Sequence, residues 1–175
     1  HDALPISHGT AEAKILICWT DPASVPYGNT TPVLINNLDL SIKHLPSGDI
    51  IQPWILDPNN PANTATRGVD NLNNIEQITL DNPKAGTYQI SVKGTNIPVG
   101  TNQEFALVWQ VEKPHIEISS PAEDDVFLPN TTPDIFWSHL GISENQKLEY
   151  SLDNGTTWQL VTGTAGNMIP PNGRH

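Results

Sequence analysis

Apolar residues in this chain occur as short runs and strict alternations, and nowhere at the i, i+3, i+4, i+7 spacing of an amphipathic helix. The run Ile15-Leu16-Ile17-Cys18-Trp19, closed by Asp21-Pro22, predicts a buried strand over residues 13–20. Leu38, Leu40 and Ile42 alternate with Asp39, Ser41 and Lys43, the period-2 signature of a half-buried strand. Residues 50–56 read as a short strand interrupted by Pro53, hence an edge or a bend. Residues 57–74 form a long Asn/Pro/Ala loop, of a length that is usually functional or held by something. Strands then follow quickly at 75–80, at 88–92 (Tyr88, Ile90 and Val92 alternating) and at 105–111 (Phe105, Leu107, Trp109 and Val111 alternating). That rhythm, with turn residues between strands, predicts an all-β sandwich or barrel.

The composition changes at Glu112-Lys113-Pro114, which predicts a domain boundary there. Further strands are expected at 115–119, 135–137, 148–152 and 158–162. They suit an immunoglobulin-like or fibronectin-like sandwich that is cut short, because such a fold needs about 100 residues. The expected organisation is a sandwich over 8–112 and a partial immunoglobulin-like domain over 113–175. Residues 1–7 are set apart: His1-Asp2-Ala3-Leu4-Pro5-Ile6 reads like the translation of a common sequencing adapter.

The formal net charge of −11 disfavours phosphate backbones, so no nucleic-acid partner is expected, and it leaves carboxylates free for hard cations. No apolar run is long enough to predict a membrane-spanning helix. The single cysteine, Cys18, excludes an internal disulfide and is expected to be a small buried hydrophobe. The six histidines show no paired spacing suited to zinc.

Several short motifs occur in a fixed order: Trp19-Thr20-Asp21-Pro22, Leu34-Ile35-Asn36-Asn37-Leu38-Asp39-Leu40, Pro46-Ser47-Gly48, Pro53-Trp54-Ile55-Leu56-Asp57-Pro58, Asn74-Ile75-Glu76-Gln77-Ile78, Pro83 with Ala85-Gly86-Thr87-Tyr88, and Phe105-Ala106-Leu107-Val108. Together they resemble the jelly-roll β-sandwich that follows the catalytic domain in secreted bacterial subtilisin-like serine proteases. The resemblance covers about residues 10–112. It implies a secreted or cell-surface protein whose parent hydrolyses peptide bonds, with a protease domain upstream in the same chain. The family usually has Asn-Asp-Leu-Asp where this chain has Asn36-Asn37-Leu38-Asp39; Asn37 removes a carboxylate from any metal site that the first Asp would join.

The chain itself is not expected to be catalytic. His8-Gly9-Thr10 echoes the surroundings of a subtilase histidine, but no Gly-Thr-Ser-Met segment or isolated strand Asp completes a triad. Asp21, Asn36, Asp39, Asn74 and Glu76 sit at strand ends beside loops and are the candidate ligands for a structural Ca²⁺ pinning the 57–74 loop; the competing reading is turn-capping side chains and solvated carboxylates. Ser151-Leu152-Asp153-Asn154-Gly155-Thr156-Thr157-Trp158 matches the Asp-box pattern, a hairpin in which Asp153 bonds backbone, Gly155 takes positive φ and Trp158 packs underneath. Tyr27, Trp54 and Trp158 open a second functional reading, a sugar-stacking platform in a carbohydrate-binding or adhesive module. Asn29-Thr30-Thr31, Asn130-Thr131-Thr132 and Asn154-Gly155-Thr156 fit the glycosylation acceptor pattern, as an Asn/Thr-rich chain does by chance.

Overall fold

A computed structural model describes residues 2–24, 33–144 and 146–161, and the backbone of 173–174. The described residues are all-β, with no helix. The chain divides into two compact units, His1–Glu112 and Lys113–His175.

The first unit is built from two antiparallel sheets. One has the order β1-β8-β3-β4, from Asp2–Ile6, Gly86–Asn96, Asn37–His44 and Ile50–Ile51. The other has the order β7-β2-β9, from Ile75–Asp81, Glu12–Cys18 and Ala106–Glu112. Alternation decides which side chains meet between them. Ala13, Ile15 and Ile17 on β2 and Ile78 on β7 face Leu38, Leu40 and Ile42 on β3 and Tyr88 and Ile90 on β8, in one continuous core. β2 pairs along its whole length with both neighbours, Ile15 lying between Ile78 and Trp109. It is therefore the best-protected strand, as its apolar run predicted.

The structure adds three things to the expected strands. Residues 2–6, set apart in the sequence reading, form edge strand β1 against β8, from Asp2 opposite Ile90 to Ile6 opposite Gly86. Leu4 and Ile6 enter the core, at 1% and 4% exposure. Within the long loop, β6 (Thr66–Arg67) pairs with β5 (Trp54–Ile55), after the bend at Pro53. Arg67 fixes that pairing: its guanidinium stacks 3.6 Å from the Trp54 ring centroid and donates to the carbonyls of Gln52 and Thr79. Cys18, expected inside, lies on the outward side of β2 and is half-buried, because the alternation that buries Ile15 and Ile17 turns it out.

In the second unit, β10 (His115–Ser120) pairs with β11 (Phe136–Leu140), and β11 with β14 (Gly173–Arg174). β12 (Glu149–Tyr150) and β13 (Gln159–Leu160) form the hairpin of the Asp-box. Asn154 and Gly155 take φ of 53° and 84°, as the turn requires. Trp158 lies beside Gly155 but remains 60% exposed, so it flanks the turn instead of packing beneath it.

Removing residues 1–7 should destabilise the first unit by about 3–6 kcal/mol, the transfer free energy of two buried aliphatic side chains. Chemical denaturation of the full and shortened chains checks this; equal midpoints would mean that β1 does not complete the sandwich.

Candidate functional site

Glu76 lies on the inward face of β7, between the columns of Ile78 and, across the ladder, Ile17. It is 2% exposed. A carboxylate in such a position requires a partner, and the structure supplies one from the opposite sheet. β4 pairs only with Ile42 and Lys43 of β3, so the Leu40 amide lies beyond the end of that ladder. The Leu40 N–H donates to Glu76 Oε2 at 2.6 Å. Burial pushes the Glu76 carboxyl from its ordinary 4.5 up to about 7; the Leu40 amide pulls the other way, and the Asp39 and Asp70 charges add to the rise. Asn37 Oδ1, Asp39 Oδ1 and Glu76 Oε1 are buried and accept no hydrogen bond. A proton on Glu76 relieves the charge and turns one of its oxygens into a donor.

Of the five expected metal ligands, Asp39 and Glu76 are coupled through their charges, with the Leu40 amide on Glu76. Asp21 takes the amides of Ile35 and Asn36, both at 2.8 Å, and so aligns the entry to β3. Asn36 is fully engaged: its Nδ2 donates to the Val99 carbonyl and to Gln103 Oε1, its Oδ1 accepts from Val99 N–H, and its carbonyl accepts from Trp19 Nε1. Asn74 Nδ2 donates to the Trp19 carbonyl. Among the described residues no three His, Cys, Asp or Glu side chains gather as a metal-holding group.

Sequence reading overlooked Asp70. Its buried carboxylate accepts from the amides of Leu72 and Asn73 and from Asn73 Nδ2, an Asx-type turn leading into β7. The signal was Asp70-Asn71-Leu72-Asn73 directly before an apolar strand. Asn71 accepts from Asn37 Nδ2, so the loop is stitched to β3 by side chains.

The aromatic residues expected as a platform have separate settings. Trp54 has Arg67 over its ring, Trp158 belongs to the second unit, and Tyr27 lies outside the described residues, as does the Asn29-Thr30-Thr31 acceptor. In the Asp-box, Asp153 accepts from Thr157 N–H, Thr157 Oγ1 and Ser151 Oγ, and these bonds hold its carboxyl down at about 2. Ser151 Oγ also accepts from Gly155 N–H, and Thr156 Oγ1 donates to the Asp153 carbonyl, so these side chains serve the turn.

No family model matches the chain. Two curated proteins of Dictyostelium discoideum are similar to it. One, named serine protease/ABC transporter B family protein tagA, is 35% identical over 101 residues, 56% of this chain and 5% of that protein. The other, the tagB protein of the same description, is 35% identical over 97 residues, 55% of this chain and 5% of its own length. The chain thus spans about one-twentieth of the length of the relatives it matches.

Glu76 gives a pH signature with a definite sign. Its folded-state pKa lies above its unfolded value, so the stability it contributes is complete below about 4.5 and lost as pH rises through about 7. Thermal unfolding between pH 5 and 8 should show the melting temperature falling across this window, and Glu76→Gln should flatten that segment. An unchanged slope in Glu76→Gln would assign the effect to other groups.

Proposed function

We propose that this chain is a non-catalytic accessory region of a secreted or cell-surface serine endopeptidase of the subtilisin-like class, carried in one polypeptide with the protease domain. The observation behind this reading is the 35% identity over 101 residues to a protein named as a serine protease. The all-β fold suits it, since a sandwich with a fully paired central strand is a rigid spacer and support. In this reading the first unit is a jelly roll that stabilises or positions the protease domain, and the second is an immunoglobulin-like spacer. The alternative of a sugar-binding module has less behind it, because Arg67 already covers one face of Trp54.

The reading makes two demands. The purified chain should not hydrolyse peptides, whereas the polypeptide joining it to its protease domain should. Removing the chain should lower the melting temperature of the protease domain by several degrees, since about 1 kcal/mol moves a midpoint by about 2–4 °C at this size. Hydrolysis by the isolated chain, resistant to removal of contaminants, would sink the proposal.

A second reading concerns calcium. Asn37, Asp39 and Glu76 each keep one buried oxygen with no donor, and a hard cation accepts oxygens of this kind. These three residues, and not Asp21, Asn36 or Asn74, would contribute to holding it, the cation replacing the proton on Glu76. At ten times its Kd the ion should add about 1.4 kcal/mol. Thermal unfolding at pH 7.5 with millimolar Ca²⁺ and then with chelator tests this; identical midpoints would leave Glu76 with its proton.

A further inference from the structure

An antiparallel sheet with one packed face ordinarily presents polar residues on the other. The outward face of the β7-β2-β9 sheet carries an apolar patch among its polar residues, which include Lys14, Gln77, Thr79 and Gln110. Leu16 and Cys18 point outward from β2; Leu16 has Val108 beside it on β9, and Cys18 has Ile75 beside it on β7. Val108 is 57% exposed and Ile75 49%. The loop that follows β5 extends this surface with Leu56, 70% exposed, and Leu72, 40% exposed.

The surface is also concave. A cavity of about 390 Å³ between Leu56 and Leu72 adjoins one of about 280 Å³ that reaches Leu16 and Ile75. A third, of about 250 Å³, continues from Leu16 to Val108. One trough therefore crosses the sheet, mainly apolar but with Gln77 and Asn73 in its floor, Asp57 at one end and Lys14 and Gln110 at the other. An apolar surface rimmed by polar groups marks a protein contact.

We propose that this trough is the surface on which the sandwich docks against the serine-protease domain of its own polypeptide. The inference rests on the accessory-region reading and adds where the contact lies. Its occupant follows from three observations. The matched stretch is 5% of relatives whose names include a serine protease, so ample polypeptide of that kind lies outside the sandwich in those proteins. The trough crosses three strands, the scale of an interface between domains of one chain. The chain's charge of −11 and the Asp57 carboxylate at the rim call for a basic border on the partner.

Cys18, the one cysteine of the chain, lies on this face and serves as a built-in probe. Its alkylation rate is measured in the 175-residue chain and in the polypeptide that joins it to the protease domain. Docking should slow the joined form by at least about tenfold. The double variant Leu56→Glu and Val108→Glu alters exposed side chains only, so the isolated chain keeps its melting temperature; in the joined form it should restore fast labelling. Equal rates in an active joined protein overturn the docking surface while leaving the accessory reading intact. The absence of a serine-protease domain from the same polypeptide overturns both. Labelling of the isolated chain that slows as its concentration rises puts a second copy in the trough, and also overturns the proposal.

Discussion

The first unit depends on one bond between its sheets, from the Leu40 amide on β3 to the Glu76 carboxyl on β7. β3 carries three core residues but has only a two-residue partner, β4, on its outer side. The Leu40 N–H would be a buried orphan, at a cost of about 1–3 kcal/mol. An aliphatic residue at position 76 would pack well and leave that donor unsatisfied. Glutamate reaches across and satisfies it, and burial then drives the carboxyl towards its neutral form. The same demand explains why so many side chains around the end of this contact bond to backbone. Asp21, Asn36, Asp70 and Asn74 each cap strand ends or turns that short pairing leaves open.

These interactions concentrate rigidity in the interior and at one end of the sandwich. The outer face of the β7-β2-β9 sheet is differently composed, with Leu16, Ile75 and Val108 set among polar residues such as Lys14, Gln77 and Gln110. In the Asp-box hairpin of the second unit, Ser151, Asp153 and Thr157 likewise bond one another and the backbone of the turn.

Much of the strand pattern was legible because burial enforces period-2 alternation. β2, β3, β7, β8 and β9 each carry it, and each appears where the alternation or the apolar run put it. The short pairs β5 and β6 were not legible as a pair, since a cation–π contact and backbone bonds from Arg67, not a hydrophobic pattern, fix them. β1 was set aside because of what its residues spell, although Leu4 and Ile6 keep the alternation of a half-buried strand. Cys18 was misplaced because a continuous apolar run hides which alternate residues face inward. In the candidate site, Asp39 and Glu76 were visible as acidic residues near strand ends. Their distinction from Asp21, Asn36 and Asn74 was not, because it depends on which backbone amide each side chain reaches. Asp70 bonds only within its own turn, so its signal lay in Asp70-Asn71-Leu72-Asn73 before an apolar strand.

The most direct measurement is hydrogen exchange at the Leu40 amide, followed by NMR in the chain and in Glu76→Ala. A donor held by Glu76 between two sheets should exchange as slowly as the core amides of β2 and accelerate sharply in the variant while Ile15 and Ile17 remain protected. Exchange at Leu40 as fast as at an open edge strand, unaltered by Glu76→Ala, would contradict the account.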